Sequence, residues 1–314
     1  MRAVRHTERG IEVLGVPEPE PSGDVVRVRV RSAGICGSDL HLLEWGPLPV
    51  TLGHEFAGLL DDGTAVAVQP QTPCERCDCC VRGDLHLCRE ILGRTHGVSI
   101  DGGLADAVWV DPRSLARLPE GVDVRTASLV EPLAVAVHGV DIASIEPGMR
   151  VLVIGGGSIG LCATAAARAL GAEVDLAARY RHQLEAGERL GAGVGVGRDY
   201  DVVVDAAGSQ SAFDQAVDLA RPGGTIVALA TYWSPIAVGL AFTTKELRLQ
   251  AAAGYGAHRH SGHREFETAA RLLAAVPELD RTIVTHRFGL DDAAEAFRVA
   301  GDRSSGAIKV QILP

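Results

Sequence analysis

Residues 150–172 read RVLVIGGGSIGLCATAAARALGA. An apolar run of strand length is cut by three glycines and then continues as an Ala-rich stretch suited to a helix. Gly155, Gly157 and Gly160 form GxGxxG at the junction. The first glycine permits a tight turn, the second lets the backbone approach a pyrophosphate, and the third lets helix and strand pack closely. Ser158, Ile159 and Gly160 then open a helix whose free N–H groups and positive dipole end suit phosphate. Alone the motif is weak; between a strand and a helix it points to a dinucleotide.

The same alternation continues downstream. AEVDLAA (172–178) reads as a second strand and HQLEAGERLGA (182–192) as a second helix, followed by DVVVDAAG (201–208), SAFDQAVDLARPGG (211–224) and TIVALAT (225–231). Strands and helices in this order imply a doubly wound parallel sheet of the Rossmann kind, an α/β fold. The end of the second strand selects the cofactor. An NAD site carries an acid there, about 20 residues beyond the glycines, bonded to the ribose 2′-OH. Here Ala178 takes that place, with Arg179 next and Arg181 and His182 close behind. Without the carboxylate there is no repulsion, and an arginine fork can grip a 2′-phosphate. The expectation is NADP(H) over NAD(H); the alternative is that these arginines simply open a solvated helix.

Upstream the texture is different. VVRVRVR (25–31) alternates apolar and charged residues as a strand with one wet face does, and ADAVWV (105–110) is another β-like piece among Gly and Pro breaks. A chain of 314 residues suits two domains. Residues 133–256 form the expected dinucleotide-binding domain. Residues 1–132 form a β-rich domain, which the tail 257–314, ending in the strand AIKVQIL, is expected to rejoin.

Five cysteines crowd PCERCDCCVRGDLHLC (73–88). Cys74, Cys77, Cys80 and Cys88 give C-x2-C-x2-C-x7-C, and each two-residue gap lets successive sulfurs face one ion. Cys79 breaks that rhythm and is left over. Four thiolates leave no open position, so a zinc there would be structural, replacing a core in a lobe of about 73–89 with little apolar content. Replacing Cys79 is expected to leave the metal in place. Chemistry needs a second, open site, for which Cys36 in AGICGSDLH, His54 and Glu55 in LGHEFAG, and Glu131 in LVEPLAVAVH are candidates. Spacing alone does not choose among them.

A net charge of −10 with no basic block argues against nucleic acid as partner. MRAVRHTERG lacks the apolar core of a secretory signal, and no segment matches a membrane helix. The expectation is a cytoplasmic protein acting on a small molecule. Clustered cysteines in such a chain favour metal thiolates over disulfides, while Cys162 reads as a small core residue.

GICGSDLH, GHEFAG, the four-cysteine lobe, EPLAVAVH and the glycine turn, in this order, resemble the zinc-dependent medium-chain alcohol/polyol dehydrogenases over nearly the whole chain. The resemblance implies a GroES-like catalytic domain formed by both ends of the chain, a Rossmann domain between them, and two zinc ions per chain. It implies catalytic zinc ligands at Cys36, His54 and Glu131, with Glu55 an inner or alternating ligand. Ser38 would take the substrate proton, His41 would pass it to solvent by way of the cofactor ribose, and Asp39 would fix the His54 tautomer, as metal-site physics also expects. It further implies a homo-oligomer, dimer or tetramer.

Two departures stand out. LLDDGTAVAVQ after GHEFAG makes a short hairpin, and GVGVGRDY before Asp201 is too brief for a strand and helix, so the Rossmann sheet is expected to lack or abbreviate one βα unit. GICGSDLH and the acidic EPL motif lean toward hydroxyl-rich substrates, with a threonine- or amino-alcohol-type dehydrogenase as alternative. Trp45, Tyr232 and Trp233 suit a substrate pocket or a core equally. A redox-inactive nucleotide-binding zinc protein is the rival from another class; Ser38, Asp39 and His41 argue against it.

Overall fold

The computed structural model describes residues 1–21, 23–256 and 264–314. In chain order the elements are β1 (Arg2–Thr7), β2 (Gly10–Gly15), β3 (Val26–Ile35), α1 (Gly37–Leu43), β4 (Glu55–Leu59), β5 (Ala65–Val68), α2 (Asp78–Val81), β6 (Ala107–Val110), β7 (Leu115–Arg117) and α3 (Val130–Ile142). There follow β8 (Arg150–Ile154), α4 (Ser158–Ala169), β9 (Glu173–Ala177), α5 (Arg181–Arg189), β10 (Tyr200–Asp205), α6 (Gln210–Leu219), β11 (Ala220–Ala228), α7 (Leu240–Thr244) and β12 (Arg248–Ala251). The chain closes with α8 (Glu265–Ala275), α9 (Leu279–Ile283), β13 (Val284–Gly289), α10 (Ala293–Gly301) and β14 (Lys309–Leu313). Two compact units result: residues 1–131, 269–275 and 284–314 in one, and 132–268 and 276–283 in the other. The described residues 264–268 and 276–283 thus group with the second unit, although they lie beyond residue 257. Residues 257–263, where the tail expected to rejoin the first domain begins, lie outside the described residues.

The first unit is built on a sheet ordered β13-β14-β3-β4-β5-β7, with β6 also on β3. Its organising strand is β3. The VRVRVR alternation puts Val28 and Val30 fully inside, and the strand then runs on through the small residues of SAGI, every one buried. The sequence reading ended this strand at residue 31. The extension exists because β4 pairs with residues up to Gly34 on one side and β14 with Ala33–Ile35 on the other, so both edges are covered. It carries the chain straight into Cys36. The hairpin after β4 is tight: Leu60 N–H donates to the Thr64 carbonyl at 2.9 Å, and β4 and β5 pair directly. Val28, Val30, Phe56, Val66, Phe297, Val310 and Ile312 are among the side chains that fill the core.

The second unit is a parallel sheet ordered β12-β11-β10-β8-β9 with helices between the strands. The chain leaves β8 for β9 on one side and returns to β10 on the other, so β8/β10 is the switch point of a doubly wound fold. As the short linker implied, no further strand lies beyond β9 among the described residues. In its place Gly193 alone bridges to β9, accepting from Leu176 N–H at 2.8 Å and donating to the Val174 carbonyl at 2.9 Å. The remainder of the linker is clamped by side chains. Tyr200 donates its hydroxyl hydrogen to Asp175 at 2.6 Å and accepts from Gly197 N–H at 2.7 Å, while the Arg150 guanidinium lies 4.9 Å over the Tyr200 ring.

Candidate active site

Three elements of the first unit converge on one cluster. Cys36 stands at the N-cap of α1, and His54 and Glu55 lie at the start of β4, where Glu55 pairs with Gly34 of β3. Ligand atoms of Cys36, His54 and Glu55 all lie within 4.8 Å of one another. His54 is oriented from behind: its Nδ1 lies 3.0 Å from Asp39 Oδ1, within ion-pair distance. Asp39 is in turn held by the Cys36 N–H, which donates to its Oδ2 at 2.9 Å. Nδ1 is thereby engaged and Nε2 is turned toward the cluster, 3.4 Å from Ser38 Oγ.

Burial pulls the His54 pKa down, but the Asp39 charge, the hydrogen bonds to Asp39 and Cys36, and the Cys36 charge outweigh it and leave it well above the ordinary histidine value. A thiol, an imidazole with its far nitrogen braced by a carboxylate, and a carboxylate are a donor set that suits Zn²⁺ and leaves a fourth position open. Ser38 and His41 follow on α1. His41 is partly exposed, with Nδ1 3.7 Å from Glu44. Glu131 is buried in the first turn of α3 but is not one of the three clustered ligands.

The sequence reading passed over Lys309, the one charge in the apolar terminal strand. Its Nζ donates to both Glu55 oxygens at 2.7 Å and to the Ile35 carbonyl at 3.1 Å, inside a site where both side chains are buried. The signal was there: a lysine inside an otherwise apolar strand needs a partner.

In the lobe, Cys74, Cys77, Cys80 and Cys88 form the second cluster. Cys77 and Cys80 sulfurs are 3.5 Å apart and Cys74 and Cys80 sulfurs 3.9 Å. A tetrahedron with metal–sulfur bonds of ~2.3 Å has edges of about 3.8 Å, so the four thiols are spaced for Zn²⁺. Backbone N–H groups of Arg89 and Cys80 hold the Cys77 thiol down at about 6, whereas burial and the neighbouring Cys77 push Cys80 up to about 12. Cys79 stays out of the cluster; its sulfur accepts from Arg82 at 3.4 Å.

In the second unit the glycine turn has the expected shape. Gly155 has φ +109, and a Cβ there would meet the Ala206 backbone at 2.9 Å. A Cβ on Gly160 would come within 1.8 Å of the Gly155 carbonyl, while one on Gly157 would meet nothing within 4 Å. Gly157 caps α4 with no side-chain hydrogen bond, so the N–H groups of the first turn face that open space. Such a cradle fits a pyrophosphate. Ala178 packs against Gly156, Arg179 is exposed, and Arg181 is turned outward to Glu185 at 2.7 Å.

The chain is similar to known proteins along most of its length. Residues 22–120 match the alcohol dehydrogenase GroES-like domain and residues 158–275 the zinc-binding dehydrogenase domain. D-xylulose reductase A of Aspergillus oryzae is 32% identical over 321 residues, covering 90% of this chain and 87% of that protein. Sorbitol dehydrogenase of Halalkalibacterium halodurans is 31% identical, covering 100% and 99%. A solved zinc-binding dehydrogenase structure from Sinorhizobium meliloti 1021, bound to NADP, superposes with a TM-score of 0.88 at 31% identity, covering 100% of this chain and 99% of that one.

Proposed function

The chain belongs to the zinc-dependent medium-chain alcohol/polyol dehydrogenases, and from that premise we propose that it oxidises a secondary hydroxyl of a polyol or sugar-type substrate, or reduces the matching ketone, with NADP(H). The observation that carries this reading is the cluster of Cys36, His54 and Glu55, braced by Asp39 and adjoined by Ser38. The names of the relatives, a pentulose reductase and a hexitol dehydrogenase, favour hydroxyl-rich substrates over simple alcohols and over amino alcohols such as threonine.

A zinc held by this cluster would supply a Lewis acid that lowers the pKa of a hydroxyl, and a bound nicotinamide would supply the hydride chemistry. The protein's own residues do the rest. Cys36 and His54 hold the metal, with the third protein ligand drawn from Glu55 or Glu131. Asp39 keeps the proton of His54 on Nδ1 and leaves Nε2 to bind. Ser38 would accept the substrate hydroxyl proton while giving up its own hydroxyl hydrogen, and partly exposed His41 would release the proton to water. The lobe cysteines hold a second zinc that stabilises the fold and takes no part in the reaction. Gly157 and the α4 N-terminus bind the pyrophosphate, and Ala178 with Arg179 admits a 2′-phosphate; the NADP-bound structural relative supports this choice.

Among the described residues no helix is long and apolar enough to cross a membrane. A homo-oligomer remains part of the proposal, checked by sedimentation mass. The test of the whole is metal content by mass spectrometry with and without Glu131→Ala, followed by activity on xylitol, sorbitol, simple alcohols and threonine with NADP⁺ and NAD⁺. Two zincs falling to one identify Glu131 as a ligand. Two zincs retained assign the third position to Glu55. Zinc without oxidation or reduction of any substrate would sink the enzyme reading.

A further inference from the structure

The end of β10 carries an acid that neither the metal chemistry nor the glycine turn uses. Asp205 is fully buried, and among the described residues its carboxylate is satisfied without a cation. Its Oδ1 accepts the N–H groups of Ala207 at 2.9 Å and Gly208 at 3.0 Å, and its Oδ2 accepts the Tyr232 hydroxyl at 2.6 Å. Its main-chain carbonyl accepts from Leu229 and Ala230, both at 3.0 Å. The adjoining backbone is tightly packed. Ala206 N–H donates to the Ile154 carbonyl at 2.8 Å, and a Cβ on Gly208 would come within 2.7 Å of the Thr231 carbonyl oxygen. Residues 205–208 therefore tie together the carboxyl ends of β8, β10 and β11.

Those ends matter because of the strand order. A dinucleotide lies outside the carboxyl ends of the strands at the switch point, here β8/β10, with its pyrophosphate on the glycine turn. The adenosine ribose is read at the end of the second strand, here β9. The other half of the molecule must then extend the opposite way, over the ends of β10 and β11.

We propose that Asp205 and Tyr232 are positioning residues for the nicotinamide half of the cofactor, the Tyr232 hydroxyl locking segment 229–232 to the 206–208 turn through the buried carboxylate. The proposal rests on the dinucleotide reading above. Burial and the Asp205 carboxylate raise the pKa of the Tyr232 hydroxyl, so it remains a donor throughout the neutral range. Phe213 backs the Tyr232 ring edge-on at 6.4 Å, which leaves the hydroxyl as the ring's polar anchor.

The test compares binding of NADPH with binding of 2′,5′-ADP, which contains only the adenosine half, in wild type, Tyr232→Phe and Asp205→Asn. Dissociation constants come from titration calorimetry, with thermal melting as the check on folding. Tyr232→Phe is expected to weaken NADPH about tenfold, the loss of one hydrogen bond to a charged group. It should leave 2′,5′-ADP within twofold of wild type. Asp205→Asn, whose amide can still accept from the 206–208 turn and pair with Tyr232, is expected to keep most of the NADPH affinity. Equal losses for both ligands, or no loss for either, would overturn the proposal. The same contrast is read with NADH and AMP, so an error about the 2′-phosphate is separable from an error here. A wild type that binds neither dinucleotide overturns both readings together.

Discussion

Lys309 Nζ lies 2.7 Å from both Oε1 and Oε2 of Glu55, and the two side chains are 2% and 1% exposed. Sheet register creates the pair. Val310 of β14 lies opposite Ile35 and Glu55 of β4 lies opposite Gly34, so β3 separates the strands that carry the two charges. Only glycine allows the closure, since a Cβ on Gly34 would stand 2.1 Å from Glu55 Oε2. Glu55 thus stands between a buried ammonium and the Cys36–His54 pair, and its charge has two claimants.

Removing the lysine alone should be costly. Lys309→Met leaves Glu55 buried and uncompensated, a change of about 3–5 kcal/mol in unfolding free energy. Lys309→Met with Glu55→Gln should recover a good part of that loss, because no charge is left stranded. Urea denaturation of the three proteins measures both steps. A double variant no more stable than the single one would show that lost packing, and not the orphaned carboxylate, sets the cost.

Ser38 and Asp39 are adjacent in sequence and should fail differently. Ser38→Ala removes the proton acceptor, so kcat should fall by roughly 10²–10⁴ while metal content holds. Asp39→Asn unbraces His54 and should weaken metal binding by about 10–100-fold. Metal analysis beside steady-state kinetics separates the two. Loss of zinc in Ser38→Ala would place that hydroxyl in the structure of the site instead of its chemistry.

In the lobe, Cys80→Ser should lower zinc by one per chain and Cys79→Ser should not change it, because the Cys79 sulfur faces Arg82 and not the other four. Mass spectrometry under non-denaturing conditions counts the ions directly. Loss of zinc on replacing Cys79 would mean that the ligands exchange.

Acid should weaken the second unit through Asp201. Burial works against its charge, yet the Arg150 N–H at 2.9 Å and Arg221 Nε at 2.7 Å hold its pKa below the usual aspartate value. A carboxylate depressed in the folded state stabilises above its unfolded pKa of about 3.9 and loses that contribution as pH falls through the lower folded value. Asp201→Asn should therefore be less stable than wild type near neutrality and converge with it in strong acid. Urea midpoints from pH 7 to pH 3 follow this, and a constant gap across the range would remove the ionic explanation.

The readable parts of this fold were those whose causes are local. GxGxxG, the lobe cysteines and the alternation from β8 to β11 each occupy a short window, and the absence of a strand beyond β9 among the described residues showed as a shortage of residues between Ala192 and Asp201. The partners of Glu55 and Asp205 were not readable in this way. Lys309 and Glu55 are separated by 254 positions, and only sheet register brings them together. Tyr232 read equally well as a pocket lining or a core ring until its hydroxyl was seen on Asp205. Glu131 illustrates the converse: the EPLAVAVH motif marked it as a ligand, but the three clustered donor groups do not include it.

The proposed cofactor choice turns on two adjacent residues just beyond β9. Ala178 packs against Gly156 and offers no carboxylate to a ribose, and Arg179 beside it is exposed. Arg181 is already committed to Glu185, but a solvent-exposed pair at i,i+4 contributes only about 0.3–0.5 kcal/mol, so it can be recruited at small cost. Arg179→Ala should then raise KM for NADP⁺ about tenfold or more and leave KM for NAD⁺ unchanged, and Arg181→Ala should act in the same direction but less strongly. Ala178→Asp should reverse the preference by repelling the 2′-phosphate and accepting the 2′-OH. Equal KM values for the two cofactors in the wild type would return these arginines to the solvated start of α5.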